Sequence, residues 1–247
     1  FQNPDNVGLT EENLQNLHQN QRSDIILGEY FAEMSKQAGL LASKFLYRGQ
    51  WLYNQPEFFD HRLHWLNPDK WFMDHWCLTA MNVIQKLPLN GHVLDLCSGD
   101  GFFSYHFYRK RAKQIDCVEI QPNLYRHALR LYSAENINNI CESVLTYNPK
   151  AFTYDVVVIR GAIEHFTEID QRHIFQKVDM ALKPDGWFIG DTVANPDKNG
   201  EKLLNDHENE WVNEEEMRDQ LQPFFSHVET QTLISSDRTN LFWCCKK

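Results

Sequence analysis

The spacing of apolar positions changes character near residue 92. Before it, the spacing is helical. Ile26, Tyr30, Met34, Leu41 and Phe45 predict a helix from Asp24 to about Tyr53, with these side chains turned inward. Phe72, Trp76, Ala80, Val83, Ile84 and Leu87 predict a second helix. Asn67-Pro68 supplies an N-cap and a first-turn proline for it, and Pro88 to Gly91 ends it. From His92 onward, short apolar runs alternate with helical stretches. Val93–Leu96, Ile115–Ile120, Ile140–Leu145, Asp155–Ile159 and Trp187–Thr192 read as buried strands. Helices are expected over Phe102–Arg111, from Pro122 to about Asn136, over Ile169–Leu182, and from the capping pair Asn213 and Glu216 to Pro223.

Two last strands, His227–Leu233 and Asn240–Cys245, are separated by too few residues for a crossover helix, so they are expected to pair antiparallel. The whole pattern predicts an α/β fold: a doubly wound, seven-stranded, mostly parallel sheet with a C-terminal antiparallel hairpin strand and an N-terminal helical cap.

Two segments are expected. Residues 68–247 hold the sheet and its ligand, and residues 1–67 form a helical, aromatic-rich lid that opens on a loose, Asn- and Gln-rich arm. The lid reading comes from the aromatic density of Trp51, Tyr53, Phe58, Phe59, His61, His64, Trp65, Trp71, Phe72, His75 and Trp76. Aromatic faces line small-molecule pockets and attract cations, and Tyr53 is accordingly expected to reach a bound ligand.

Charge narrows the partners. The chain of 247 residues carries a formal net charge of −10, and Arg109-Lys110-Arg111 is its densest basic run. Nucleic acid is therefore not an expected partner, and a small molecule is. The polar start Phe1-Gln2-Asn3-Pro4 lacks the basic and apolar regions of a signal peptide. No stretch approaches the roughly 18 consecutive apolar residues of a membrane span. Six cysteines without a C-x-x-C pair lie mostly in apolar runs, which predicts reduced thiols and a cytoplasmic protein.

The chemistry is expected in Asp95-Leu96-Cys97-Ser98-Gly99-Asp100-Gly101, which joins the first strand to a helix. Ligands of open α/β sheets bind outside the carboxyl ends of the strands. Gly99 and Gly101 permit close backbone approach, and Asp95 suits a ligand ammonium. Glu119, 18 residues beyond Gly101, ends the second strand and suits the two hydroxyls of a ribose.

With these residues the chain resembles the class I S-adenosylmethionine-dependent methyltransferases. Val93–Gly101 is similar to their first motif, with Cys97 where glycine is usual. Glu119 is similar to their ribose-binding acid, Tyr154–Ile159 to their fourth strand, and Leu182-Lys183-Pro184-Asp185-Gly186 to the turn before the fifth. The resemblance implies S-adenosylmethionine as cofactor, held by Asp95, Cys97, Ser98, Gly99, Gly101, Glu119, Ile120, Ser143 and Arg160, with Tyr53 from the lid. Ser143 stands for the adenine-side residue after the third strand. A dinucleotide fingerprint is the competing reading of Gly99–Ser104, but only about 55 residues follow the fifth strand, too few for a further substrate domain. A non-catalytic cofactor-binding module is the other alternative.

Arg160-Gly161-Ala162-Ile163-Glu164-His165-Phe166 follows the fourth strand and, by the resemblance, borders the transferred methyl group. His165, Glu164 and the more distant His207 are the candidate catalytic residues, since imidazole titrates near neutrality. Transfer to an O or N atom of a small molecule is the expected reaction. Glu164-His165 with His207 is also similar to metal-dependent RNA 2′-O-methyltransferases, but Gly161 stands where those carry a further Glu. No metal is expected on this reading.

Overall fold

The computed structural model describes residues 19–47, 61–62, 72–197, 201–234 and 238–247. The chain divides into two compact units. One contains helix α1 (Gln19–Tyr47); the other contains His61 and everything from Lys70 onward. Along α1, Ile26, Tyr30, Met34, Leu41 and Phe45 are each at least half exposed, so the expected inward stripe is an outward one. Helical periodicity reports which side chains share a face, not which face is covered. The lid residues Trp51, Tyr53, Phe58 and Phe59 lie outside the described residues, as does the Asn67-Pro68 start.

The second unit is a seven-stranded sheet. In chain order it contains α2 (Phe72–Lys86), β1 (Gly91–Leu96), β2 (Ala112–Glu119), α3 (Pro122–Leu131), β3 (Ile137–Cys141), β4 (Tyr154–Arg160), α4 (Glu168–Ala181), β5 (Leu182–Val193), α5 (Glu214–Leu221), β6 (His227–Ile234) and β7 (Thr239–Lys246). The strand order is β3-β2-β1-β4-β5-β7-β6. All pairs are parallel except those of β7, which runs antiparallel to both neighbours. Order reverses between β1 and β4, which are paired, so the loops leaving those two strands open side by side and create the ligand-binding crevice.

The central strands read as unbroken apolar runs because both faces are buried. Their alternation still sorts the side chains. Val157 and Ile159 of β4 join Ile174, Phe175 and Val178 of α4 and Met217 and Leu221 of α5 in one core. Val156 and Val158 join Ala80 and Val83 of α2 and Leu87 just after it, with Phe102, Phe103 and Tyr108, in the other. Each such side chain contributes roughly 1.5–3 kcal/mol on burial.

Local signals place most ends. Thr167 Oγ1 accepts a hydrogen bond from the Asp170 amide at 3.2 Å and caps α4. Asn213 Oδ1 accepts from the Glu216 amide at 3.0 Å and caps α5. Three expectations are corrected. Phe102–Arg111 is not a regular helix but contains a π-helical turn at Ser104–Tyr108. The wider turn suits a stretch in which Phe102, Phe103, Ser104 and Tyr108 all enter the core. The third strand is Ile137–Cys141, earlier than the expected Ile140–Leu145, and the α3 helix ends at Leu131 rather than near Asn136.

Candidate active site

A cavity of about 790 Å³ opens at the carboxyl ends of the parallel strands. That size suits a nucleoside-bearing ligand with a small second molecule. Its wall includes Cys97, Ser98 and Gly99 after β1, Glu119, Ile120 and Gln121 after β2, Arg160 to Phe166 after β4 except Ile163, and Asp191 and Val193 of β5. Leu124 of α3 and His61, His75, Trp76, Leu203, Leu204, Asp206, His207, Arg238 and Asn240 complete it.

The β1 loop is shaped by positive backbone angles. Cys97 has φ 52°, Gly99 φ 59° and Gly101 φ 79°. A Cβ on Gly99 would face the cavity, with His61 Cε1 at 3.7 Å as its nearest neighbour, whereas one on Gly101 would press on Ala128 of α3 at 3.2 Å. Gly99 therefore leaves room for a ligand, and Gly101 serves the packing of the loop on α3. Asp100, buried behind the loop, accepts from the His61 amide at 3.0 Å and pairs with its Nδ1 at 2.8 Å. Burial raises the Asp100 carboxyl pKa, but the His61 contacts outweigh it and hold the group below its usual range.

Glu119 sits where the resemblance places a ribose-binding acid. Its carboxylate accepts from the Gly99 amide at 3.0 Å and the Gln121 amide at 2.9 Å. These contacts hold the group on the cavity wall. Burial nonetheless pushes its pKa up from the usual carboxylate range, against the amides of Gln121, Gly99 and Ile120. The residues fit S-adenosylmethionine: an acid at the end of β2, an uncovered glycine at the end of β1 and a cavity of matching size. Replacing Glu119 by Ala is expected to weaken S-adenosylhomocysteine binding by one to two orders of magnitude. Charge-assisted hydrogen bonds contribute about 1.5–3 kcal/mol each. Calorimetry checks the affinity and circular dichroism the fold; unchanged affinity would move the ribose site elsewhere.

Three expected cofactor contacts are placed differently. Asp95 is fully buried and is not on the cavity wall. Its Oδ2 accepts from Ser104 Oγ at 2.6 Å and from Arg160 Nη2 at 3.3 Å. An internal guanidinium thus takes the place assigned to a ligand ammonium. Ser143 is also off the wall; it accepts from the Leu145 amide at 3.2 Å and organises the turn after β3. Gly101 is the third. Arg160 does reach the cavity, held over the Phe103 ring at 4.5 Å and donating to the Tyr108 hydroxyl at 3.0 Å.

Glu164, His165 and His207 converge. One donor atom from each lies within 4.8 Å of the other two. Glu164 Oε2 accepts from Thr192 Oγ1 at 2.8 Å, and the Glu164 carbonyl accepts from the amides of Glu208 and Asn209. The buried Glu164 therefore both faces the cavity and anchors the loop that carries His207. Burial pushes its carboxyl pKa up. His165 Nδ1 contacts the Asp206 carbonyl at 3.2 Å, and His207 Nδ1 makes a short bond to Glu210 Oε1. These two loops meet because β4 and β5 are neighbours in the sheet.

Asp191, His75 and Asn240 were not singled out as site residues from the sequence. Asp191 is a polar residue at the end of an apolar strand run, which is a readable signal. His75 is held neutral, its pKa lowered to about 3 by burial and by the charge of Arg238. Among the described residues, no helix is long and apolar enough to cross a membrane, and none of the six cysteines is in a disulfide.

Comparison with known proteins agrees with this geometry. The family described as "Methyltransferase domain" matches residues 93–186, which run from β1 to the start of β5. No curated protein matches the chain. Among solved structures, it is similar in fold to a SAM-dependent methyltransferase of Leishmania major, at 19% identity, covering 71% of this chain and 74% of that one with a TM-score of 0.59. A protein of Pyrococcus horikoshii gives 19% identity, 72% and 93% coverage and a TM-score of 0.58. The cyclase SpnF gives 12% identity, 72% and 83% coverage and a TM-score of 0.60. The matched stretch supplies the strand, the glycine loop and the acid that build the cofactor side of the cavity. Residues 93–186 accordingly form a methyltransferase domain, in a fold similar to that of S-adenosylmethionine-dependent methyltransferases, with S-adenosylmethionine as the cofactor.

Proposed function

We propose that the enzyme methylates an O or N atom of a small molecule, and that Glu164, His165 and His207 form the acceptor end of the cavity. The observation that carries this reading is that one cavity holds both the Gly99–Glu119 cofactor edge and the Glu164, His165, His207 cluster. When bound, the cofactor supplies a methyl carbon activated by a positive sulfur. The chain's own residues have to place an acceptor atom against that carbon and keep water away. Trp76 and Phe166 offer apolar wall for this, while His165 and Glu164 offer polar contacts. A small acceptor fits the charge balance better than RNA: Arg160 and Arg238 are the only guanidinium groups on the described wall, with Glu119, Glu164, Asp191 and Asp206 opposing them.

The test is incubation with S-adenosylmethionine labelled in its methyl group and a metabolite extract, read by mass spectrometry, beside a panel of RNA oligonucleotides. Label in a small product is the expected result. Label appearing only in RNA ends would overturn the reading.

A further inference from the structure

We propose that Glu164, His165 and His207 bind a divalent first-row transition-metal cation that holds an oxygen of the methyl acceptor. This departs from the metal-free site expected from the sequence, and it rests on the reading that this end of the cavity receives the acceptor.

The partners of His165 Nδ1 are the Asp206 carbonyl at 3.2 Å and the Asp206 carboxylate at 3.4 Å. The partner of His207 Nδ1 is the Glu210 carboxylate. All of these are acceptors, so in the neutral rings Nδ1 carries the hydrogen and Nε2 keeps its lone pair. A carbonyl or carboxylate behind Nδ1 is what orients metal-binding histidines.

Glu210 is itself fixed. It accepts from Asn195 Nδ2 at 2.5 Å and from the Leu203 amide at 2.9 Å. Glu164 adds a carboxylate with one oxygen held by Thr192. Two imidazoles and a carboxylate, all with lone pairs available, thus meet on a cavity wall. Acceptors brought together in this way, two of the three on buried residues, are satisfied by a cation.

The geometry is close to closed. Ligand atoms bound at about 2.1 Å stand at most about 4.2 Å apart. Atoms already within 4.8 Å of one another need only small side-chain rotations to reach that arrangement. Two histidines and a carboxylate suit a zinc-, manganese- or iron-like divalent ion, and three protein ligands leave positions open toward the cavity.

An acceptor hydroxyl on such an ion gives up its proton to water. The oxygen lone pair then forms the bond to the methyl carbon, the carbon–sulfur pair passes to sulfur, and the positive sulfur becomes a neutral thioether. The ion changes no oxidation state. The acceptor class implied is an alcohol, phenol or vicinal pair of oxygens.

The experiment titrates chelator-treated protein with Co²⁺, followed by visible absorption, and with Zn²⁺, followed by calorimetry. S-adenosylhomocysteine binding is measured on the same samples. One saturable equivalent of each metal is expected. Glu164→Gln and His165→Ala are each expected to weaken Co²⁺ binding by at least about tenfold, and Glu210→Gln by about 10–100-fold, as for other residues behind metal ligands. The His165 side chain is 36% exposed, so His165→Ala tests the site even where a buried variant fails to fold. Retained S-adenosylhomocysteine binding certifies the fold of each variant. Absence of saturable Co²⁺ binding in protein that binds S-adenosylhomocysteine would overturn the proposal, as would equal Co²⁺ affinity in parent and variants. Metal binding lost in the variants, with no small-molecule product ever formed, would sustain the metal site and overturn the acceptor assignment instead.

Discussion

Replacing Asp191 by Asn is expected to stabilise the enzyme above about pH 7 and to change little below pH 4. Asp191 is 1% exposed at the end of β5. One oxygen accepts from Thr79 Oγ1 of α2 at 2.5 Å; the other, Oδ1, is buried without a hydrogen-bond partner among the described residues. Burial pushes its pKa from 3.8 up to about 7, with Glu164 adding to the rise and Thr79, Arg160 and Arg238 opposing it.

The sign follows from linkage. The folded state holds this proton more tightly than the unfolded chain, so the contribution is fully present below about pH 4 and is lost as pH rises through about 7. Three pKa units correspond to about 4 kcal/mol at most. Asn has the same shape and no charge to desolvate. The melting-temperature gap between Asp191→Asn and the parent should therefore widen with pH across that window and level off above it. A gap independent of pH would show that the Asp191 charge is solvated or paired in a way the geometry does not display. On the cavity wall, an ionised Asp191 would also favour a cationic ligand. The variant is accordingly expected to lose more affinity for S-adenosylmethionine than for the uncharged sulfur of S-adenosylhomocysteine.

The parts of this fold legible in the sequence are those whose signal is local. The Asp155–Ile159 run became β4 because a parallel strand buried on both faces needs nothing but apolar residues. The Asn213 cap and the terminal hairpin came through for the same reason: each is decided within a few residues. β3 was misplaced because it pairs with only one neighbour and has no fully buried residue, so its apolar signal is weak. The pairing of Asp95 was not legible because its partner Arg160 is 65 residues away and enters from another strand. His165 and His207 could each be named as a candidate, but their meeting depends on the adjacency of β4 and β5, and their orientation on Asp206 and Glu210. No periodicity records either. The apolar stripe of α1 was read correctly as a stripe and wrongly as an inward one, since a sequence does not say what lies against a helix.

The largest single effect is expected at Gly190, where the sheet leaves no room for a side chain. Gly190 lies in β5 opposite Ile159 of β4 and Trp243 of β7. A Cβ there would stand 2.6 Å from Trp243 Cε2, and it would meet Trp243 Cζ2 and the Ile159 carbonyl oxygen more closely still. Trp243 is 1% exposed and packed with Trp211 and Phe188, so the indole has nowhere to go. The carbonyl belongs to the backbone of the neighbouring strand and moves only if β4 and β5 separate. Overpacking usually costs 1–3 kcal/mol when flexible side chains absorb it; two rigid neighbours put Gly190→Ala at about 4 kcal/mol or more. For a chain of this size, that lowers the melting temperature by roughly 8–16 °C. Function should fall with it, because the next pair in the same register is Arg160 and Asp191, both on the cavity wall. Shrinking the indole in a Gly190→Ala, Trp243→Leu double variant should recover only part of the loss, since the Ile159 carbonyl remains. A Gly190→Ala protein that melts with the parent and binds S-adenosylhomocysteine equally well would mean that β4 and β5 stand farther apart than they do here.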